Sequence, residues 1–125
     1  MIVLDSSALI AYLLREPGYE VVRSQLRDAC ISTVNLTETL ARLERNGLRP
    51  IDVDKRLTRL RLEVAPFDRE QAVRAAEMRE PARKLGVSLA DCCCMALALV
   101  RGCPVLTGDR PWLRLGLPLT LKRFR

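Results

Sequence analysis

The chain opens with an uninterrupted apolar run, Ile2-Val3-Leu4, that stops at Asp5. A short run without polar alternation is the pattern of a strand buried on both faces. Apolar residues then recur on a helical period from Ser7 to Leu14, until Pro17-Gly18 breaks the pattern. A second short amphipathic helix is predicted over Glu20 to Ala29, followed by a strand at Cys30 to Val34. Leu36, Leu40 and Leu43 share one helical face, and Asn46-Gly47 supplies the stop. Leu57 and Leu60, with basic residues between them, predict a helix over Asp54 to Leu62. Val64 to Phe67 reads as a short strand whose Pro66 marks an edge or a terminus. Asp68 to Leu85 is rich in Ala, Arg and Glu and predicts a helix stopped by Gly86, kinked or broken at Pro81. Leu89 to Val100 is apolar around most of its circumference, so a buried helix is expected. Pro104 to Thr107 and Leu119 to Leu121 complete the strands.

Strands that alternate with helices imply an α/β fold, a three-layer αβα sandwich with a mostly parallel central sheet. Hydrophobic residues form 49% and charged residues 29% of the chain, a balance that supports a packed core without disulfides. No repeat, low-complexity tract or long linker divides it, so residues 1–125 read as a single domain.

Composition narrows the chemistry. The chain has no histidine, which excludes Ser-His-Asp and Cys-His nucleophilic schemes and every histidine-containing zinc site. Five cysteines include the run Cys92-Cys93-Cys94. Successive helical residues point about 100° apart, so these three cannot ligate one metal, and buried reduced thiols are expected. The longest uncharged apolar stretch, Cys92 to Val100, is far short of the roughly 20 residues that span a bilayer. The start at Met1 carries no basic leader, so a soluble cytoplasmic protein with no membrane association is expected. The net charge of +6 suits a polyanionic partner, an acidic protein or simple solubility.

Four acidic residues share a position relative to this pattern. Asp5 follows the first strand and Asp109 follows the strand ending at Thr107, while Glu38 and Asp91 fall in the first turns of predicted helices. In an open parallel sheet, strand carboxyl ends and the amino ends of the following helices lie on one edge, where ligands bind. Each acid also has a structural reading. Ser88 to Asp91 and Asn35 to Glu38 both match a capping box, Asp5 can cap the helix beginning at Ser6 or Ser7, and Asp109 can be a turn residue. Caps, however, have no reason to cluster at one end of one sheet. Converging carboxylates repel one another unless a cation sits among them, and only Asp109 has an adjacent basic residue, Arg110. A hard divalent ion with oxygen ligands, Mg²⁺ or Mn²⁺, suits such a site and can serve phosphodiester displacement without histidine.

The opening Val3-Leu4-Asp5-Ser6-Ser7-Ala8-Leu9-Ile10 resembles the first motif of PIN-domain nucleases, especially the VapC toxins of toxin–antitoxin pairs. Ser32 to Glu38, Leu89-Ala90-Asp91 and Leu106-Thr107-Gly108-Asp109 are similar to the second, third and fourth acidic motifs. The resemblance implies an Mg²⁺- or Mn²⁺-dependent endoribonuclease. Asp5 and Asp91 would be its principal metal ligands, Glu38 and Asp109 would complete the cluster, and Ser6 and Thr107 would support it through hydrogen bonds. It also implies an RNA substrate, a homodimer and a cognate antitoxin laid across the early helices, where Leu9, Tyr12, Leu13 and Leu14 offer apolar surface. Arg42, Arg45, Arg79, Arg83, Lys84 and Arg110 are candidates for gripping phosphates. Trp112 reads as a packing residue. Cys92-Cys93-Cys94 departs from the family, which carries aliphatic residues there.

Rival readings fit less well. A phosphatase with an aspartyl nucleophile at Asp5 wants a second aspartate two residues on, where Ser7 stands, and no Gly-x-x-x-x-Gly-Lys phosphate loop occurs. A non-catalytic RNA- or protein-binding module on the same fold is the alternative from a different class.

Overall fold

Why the polar residues Asp5 and Thr107 end up buried side by side is answered by the order of the strands. The computed structural model describes residues 1–108 and 115–125. Its strands are β1 (Ile2–Leu4), β2 (Ala29–Ser32), β3 (Glu63–Ala65), β4 (Val105–Thr107) and β5 (Leu121–Arg123). Its helices are α1 (Ser6–Leu14), α2 (Tyr19–Gln25), α3 (Thr33–Arg45), α4 (Pro50–Leu57), α5 (Arg69–Lys84) and α6 (Leu89–Arg101), with a 3₁₀ turn at Leu26–Asp28. The sheet runs β3-β2-β1-β4-β5, and every pairing is parallel. β1 is therefore the central strand, and all five carboxyl ends lie on one edge.

The side-chain alternation of the strands sends residues to two cores. Val3, Cys30, Ala65 and Val105 pack with α5 and α6, including the buried Cys92, Cys94, Met95 and Leu97. Ile2, Leu4, Ala29 and Leu106 pack with α1 and Phe124 on the other face, while Leu9 and Ile31 meet Leu43, Val53 and Leu57 from α3 and α4. Burying one such Leu or Ile contributes roughly 1.5–3 kcal/mol, so both helical layers hold the sheet rigid. This is the three-layer α/β/α sandwich expected of the alternation. No described helix is long and apolar enough to cross a membrane.

Several boundaries differ from the pattern-based expectation. β2 ends at Ser32 instead of Val34, because the Ser32 hydroxyl accepts from the Val34 amide at 3.2 Å and starts α3 there. Asn35 is therefore inside the helix and Glu38 lies in its second turn, so the Asn35–Glu38 capping box is not formed. α4 starts at Pro50, a residue suited to the first helical position, and ends before Leu62. α5 continues unbroken through Pro81. Pro81 is exposed there, as is Glu77, whose carbonyl it leaves without its intrahelical donor. β5 lies two residues later than expected, after the Thr120 carbonyl accepts from the Val105 amide at 2.9 Å. The cysteines are free; four are buried and Cys103 is partly exposed.

Candidate functional site

The carboxyl end of β1 delivers Asp5 to the amino end of α1. Its extended backbone makes it the N-cap, with Oδ1 accepting from the Ala8 amide at 2.9 Å and the Ser7 hydroxyl at 2.7 Å. Oδ2 accepts from the Thr107 hydroxyl at 2.5 Å, across the β1–β4 pairing. The Ser7 hydroxyl in turn accepts from the Gly108 amide at 3.1 Å, tying the β4 exit to the same carboxylate. Asp5 is only 2% exposed, and among the described residues no cation pairs with it. Burial pushes its carboxyl up to about 6; the hydrogen bonds from Thr107, Ser7 and Ala8 work against that rise, and the charge of Asp91 adds to it.

Asp91 sits in the first turn of α6. Its side chain accepts from the Ser88 amide at 3.0 Å, while its own amide donates to the Ser88 hydroxyl at 3.1 Å. The capping box expected from Ser88-Leu89-Ala90-Asp91 is thus present. One turn on, the Cys94 thiol approaches the Leu4 carbonyl at 3.8 Å, which seats this end of α6 beside the last residue of β1. Burial raises the Cys94 thiol well above its ordinary range, and Asp5, Asp91 and Glu38 add to the rise. Those three acids therefore share one neighbourhood.

Glu38 is placed by a residue that the pattern offered only as a helix cap. Asn35 is fully buried, and its Nδ2 donates to Glu38 Oε1 at 3.2 Å and to the carbonyl of Ala90, next to Asp91, at 3.0 Å. One amide thus joins the second and third acidic segments. Asn35 Oδ1 is buried and has no partner among the described residues. Ser6 is half-buried and lines a cleft of about 300 Å³ with Ile10, Glu38, Ala41, Arg42 and Arg45. It is Ser7, not Ser6, whose hydroxyl contacts Asp5.

Asp109, and with it Arg110 and Trp112, lies outside the described residues. Among the described residues no three acidic or thiol side chains are drawn tightly enough together to hold one metal ion. The structure brings Asp5, Thr107, Glu38 and Asp91 to one edge, with Asp5 and Thr107 in direct contact. Of the basic candidates, Arg79 is committed to the Val87 carbonyl at 2.8 Å and Arg83 pairs with Glu80 at 3.1 Å. Leu9 is fully buried and unavailable to a partner, whereas Leu14 is exposed. Tyr12 and Leu13 line a second cleft, of about 230 Å³, with Arg56, Arg59 and Leu60.

The PIN domain matches residues 2–116. Among solved structures, DNA-bound VapBC from Salmonella typhimurium is similar at 22% identity and a TM-score of 0.74, covering 99% of this chain and 98% of that one. A toxin–antitoxin complex from Klebsiella pneumoniae gives a TM-score of 0.78 at 13% identity, covering 100% and 98%. A sarcin-ricin-loop-cleaving VapC toxin of Mycobacterium tuberculosis gives 0.71 at 17% identity, covering 94% and 96%. None of the curated proteins matches the sequence.

Proposed function

The chain belongs to the PIN-domain family, and on that premise we propose that it is a metal-dependent endoribonuclease, the toxin of a toxin–antitoxin pair. The observation that carries this reading is Asp5: a buried carboxylate on the sheet's carboxyl edge, held among the described residues by neutral donors and pressed by the charge of Asp91. A carboxylate buried in this way is costly unless a cation or a function accounts for it.

The residues fit Mg²⁺ or Mn²⁺. The predicted ligands are all carboxylates, a hard donor set, and Asn35 Oδ1 adds an oxygen with no partner among the described residues. Asp5 and Asp91 would hold the ion, with Glu38 and Asp109 completing the cluster. When bound, the ion supplies an acidified water and charge stabilisation for phosphodiester hydrolysis. The protein's part is to fix its carboxylates beforehand. Thr107 and Ser7 orient both oxygens of Asp5, the Ser88 amide orients Asp91, and Asn35 turns Glu38 towards α6. Groups that orient ligands in this way set metal affinity as strongly as many direct contacts.

RNA is the substrate we propose, in keeping with the sarcin-ricin-loop-cleaving toxin this chain is similar to. A cognate antitoxin is the proposed protein partner, as in the VapBC structures. The cleft of Tyr12, Leu13 and Leu60, flanked by Arg56 and Arg59, is the surface we assign to it. Pairing with a second copy of this chain would be read from the molar mass in solution. The deciding test is cleavage of a mixed RNA pool with Mg²⁺ or Mn²⁺, beside Asp5→Asn and an EDTA control. Metal-dependent cutting that disappears in Asp5→Asn supports the reading. Intact RNA in every lane, from folded protein free of inhibitor, refutes it in favour of a binding module.

A further inference from the structure

Helix α3 carries Glu38, Arg42 and Arg45 at intervals of four and three residues, so all three lie along one side of it. A glutamate four residues before an arginine ordinarily forms an ion pair on a helix surface. Here it does not. Glu38 is engaged by Asn35 instead, and among the described residues neither Arg42 nor Arg45 has an acidic partner. Both arginines are exposed and border the cleft of about 300 Å³ whose other wall includes Ser6, the residue after Asp5. The cleft thus starts at the acidic edge and runs along α3 towards two uncompensated guanidinium groups. At 1.5 Å per residue, Arg42 and Arg45 stand about 6 and 10 Å beyond Glu38, a reach that an extended strand covers within a few nucleotides.

We propose that this cleft is a track for the RNA strand, with Arg42 and Arg45 binding backbone phosphates on one side of the scissile bond. The inference rests on the nuclease reading above and adds to it a place. A carboxylate edge alone repels a polyanion, so strand binding needs cations near enough to act and far enough not to neutralise the acids. The engagement of Glu38 by Asn35 separates those roles on one helix. The competing account is that these residues, in the last turn of α3, only complement the helix dipole and are solvated.

The test is fluorescence anisotropy of a short labelled RNA of mixed sequence, in EDTA so that nothing is cut, over a series of salt concentrations. The comparison is between the wild type, Arg42→Gln/Arg45→Gln, Arg42→Lys/Arg45→Lys and Arg23→Gln/Arg27→Gln. The last pair makes the same charge change on α2 and the 3₁₀ turn, ahead of the amino end of β2. Loss of two phosphate contacts should weaken binding about tenfold at moderate salt and flatten the log–log salt slope by about 1.4. The lysine variant should keep the slope, and the Arg23/Arg27 control should match wild type. Equal weakening by both glutamine pairs, or none by Arg42→Gln/Arg45→Gln, overturns the track. Loss of affinity for a protein partner with RNA binding intact overturns it too and makes the cleft a protein-docking surface. Wild-type cleavage of the same RNA with Mg²⁺ tells the two failures apart. Cutting without an Arg42/Arg45 effect removes only the track, whereas neither cutting nor binding removes the nuclease reading and the track with it.

Discussion

The two edges of the sheet treat acidic residues in opposite ways. At the amino edge, Glu63 receives both nitrogens of Arg101, at 2.8 and 2.6 Å, and Asp28 pairs with the amino group of Met1 at 2.9 Å. Arg101 holds the Glu63 carboxyl below its usual range, and Asp28 raises the Met1 amine. At the carboxyl edge, Asp5 has hydroxyls and one amide for partners, is almost wholly buried, and titrates higher than an ordinary aspartate. The amino edge is electrostatically finished. The carboxyl edge holds a buried carboxylate whose charge no described cation balances, and this contrast is what the proposed metal site rests on.

The strongest way to break the contrast is to remove the unpaired charge. Asp5→Asn should lower metal-dependent RNA cleavage at least about a hundredfold, since even groups that only orient a ligand cost about 10–100-fold. Thr107→Val should follow, with metal affinity or cleavage lowered about tenfold or more, because Asp5 Oδ2 loses its oriented donor. Metal titration by calorimetry and single-turnover cleavage would read both. Wild-type affinity in Thr107→Val would show that the hydroxyl does not position the carboxylate.

A third change sharpens the comparison through stability. The Asp5 carboxyl lies near 6 in the folded chain and at the ordinary 3.8 when unfolded, so the folded state holds its proton more tightly. Its contribution is complete below about pH 4, declines as pH rises to 6, and is lost above that. Asparagine keeps the acceptor for Ala8 and Ser7 without the charge. Metal-free Asp5→Asn should therefore be more stable than wild type at pH 7 by roughly 3 kcal/mol, and equal to it below about pH 4. Urea melts in EDTA measure this; a less stable variant at pH 7 would mean that Asp5 is already compensated. The smallest effect belongs to the other edge. Glu63→Gln should cost no more than about 1 kcal/mol and leave cleavage unchanged, as expected of a solvent-screened pair.

Much of this arrangement was legible in the sequence. The apolar run before Asp5, the alternation of elements and the Ser88–Asp91 box each follow from local rules, and each is found. What local rules missed depends on distant partners. Asn35 resembled a cap in sequence, yet its role comes from Ala90, 55 residues away. Ser7 acquires its importance from Gly108, 101 residues away, while Ser6, equally plausible on paper, faces the cleft. The start of α3 was misplaced because Thr33 and Val34 are β-branched and read as strand, whereas the Ser32 hydroxyl turns them into the first turn of a helix. Asp109 falls outside the described residues, so its place in the cluster remains a proposal.

The contact between Asp5 and Thr107 spans 102 residues of chain. During synthesis the first of these residues leaves the ribosome long before the second has been added. The central strand β1 pairs with β4 only once Val105–Thr107 has been made, so the Asp5–Thr107 contact cannot form on a shorter chain. If this protein attacks RNA, its own message and the ribosome translating it are spared until Thr107 has been added. For the proposed nuclease, the strand order itself would then set when activity can first exist.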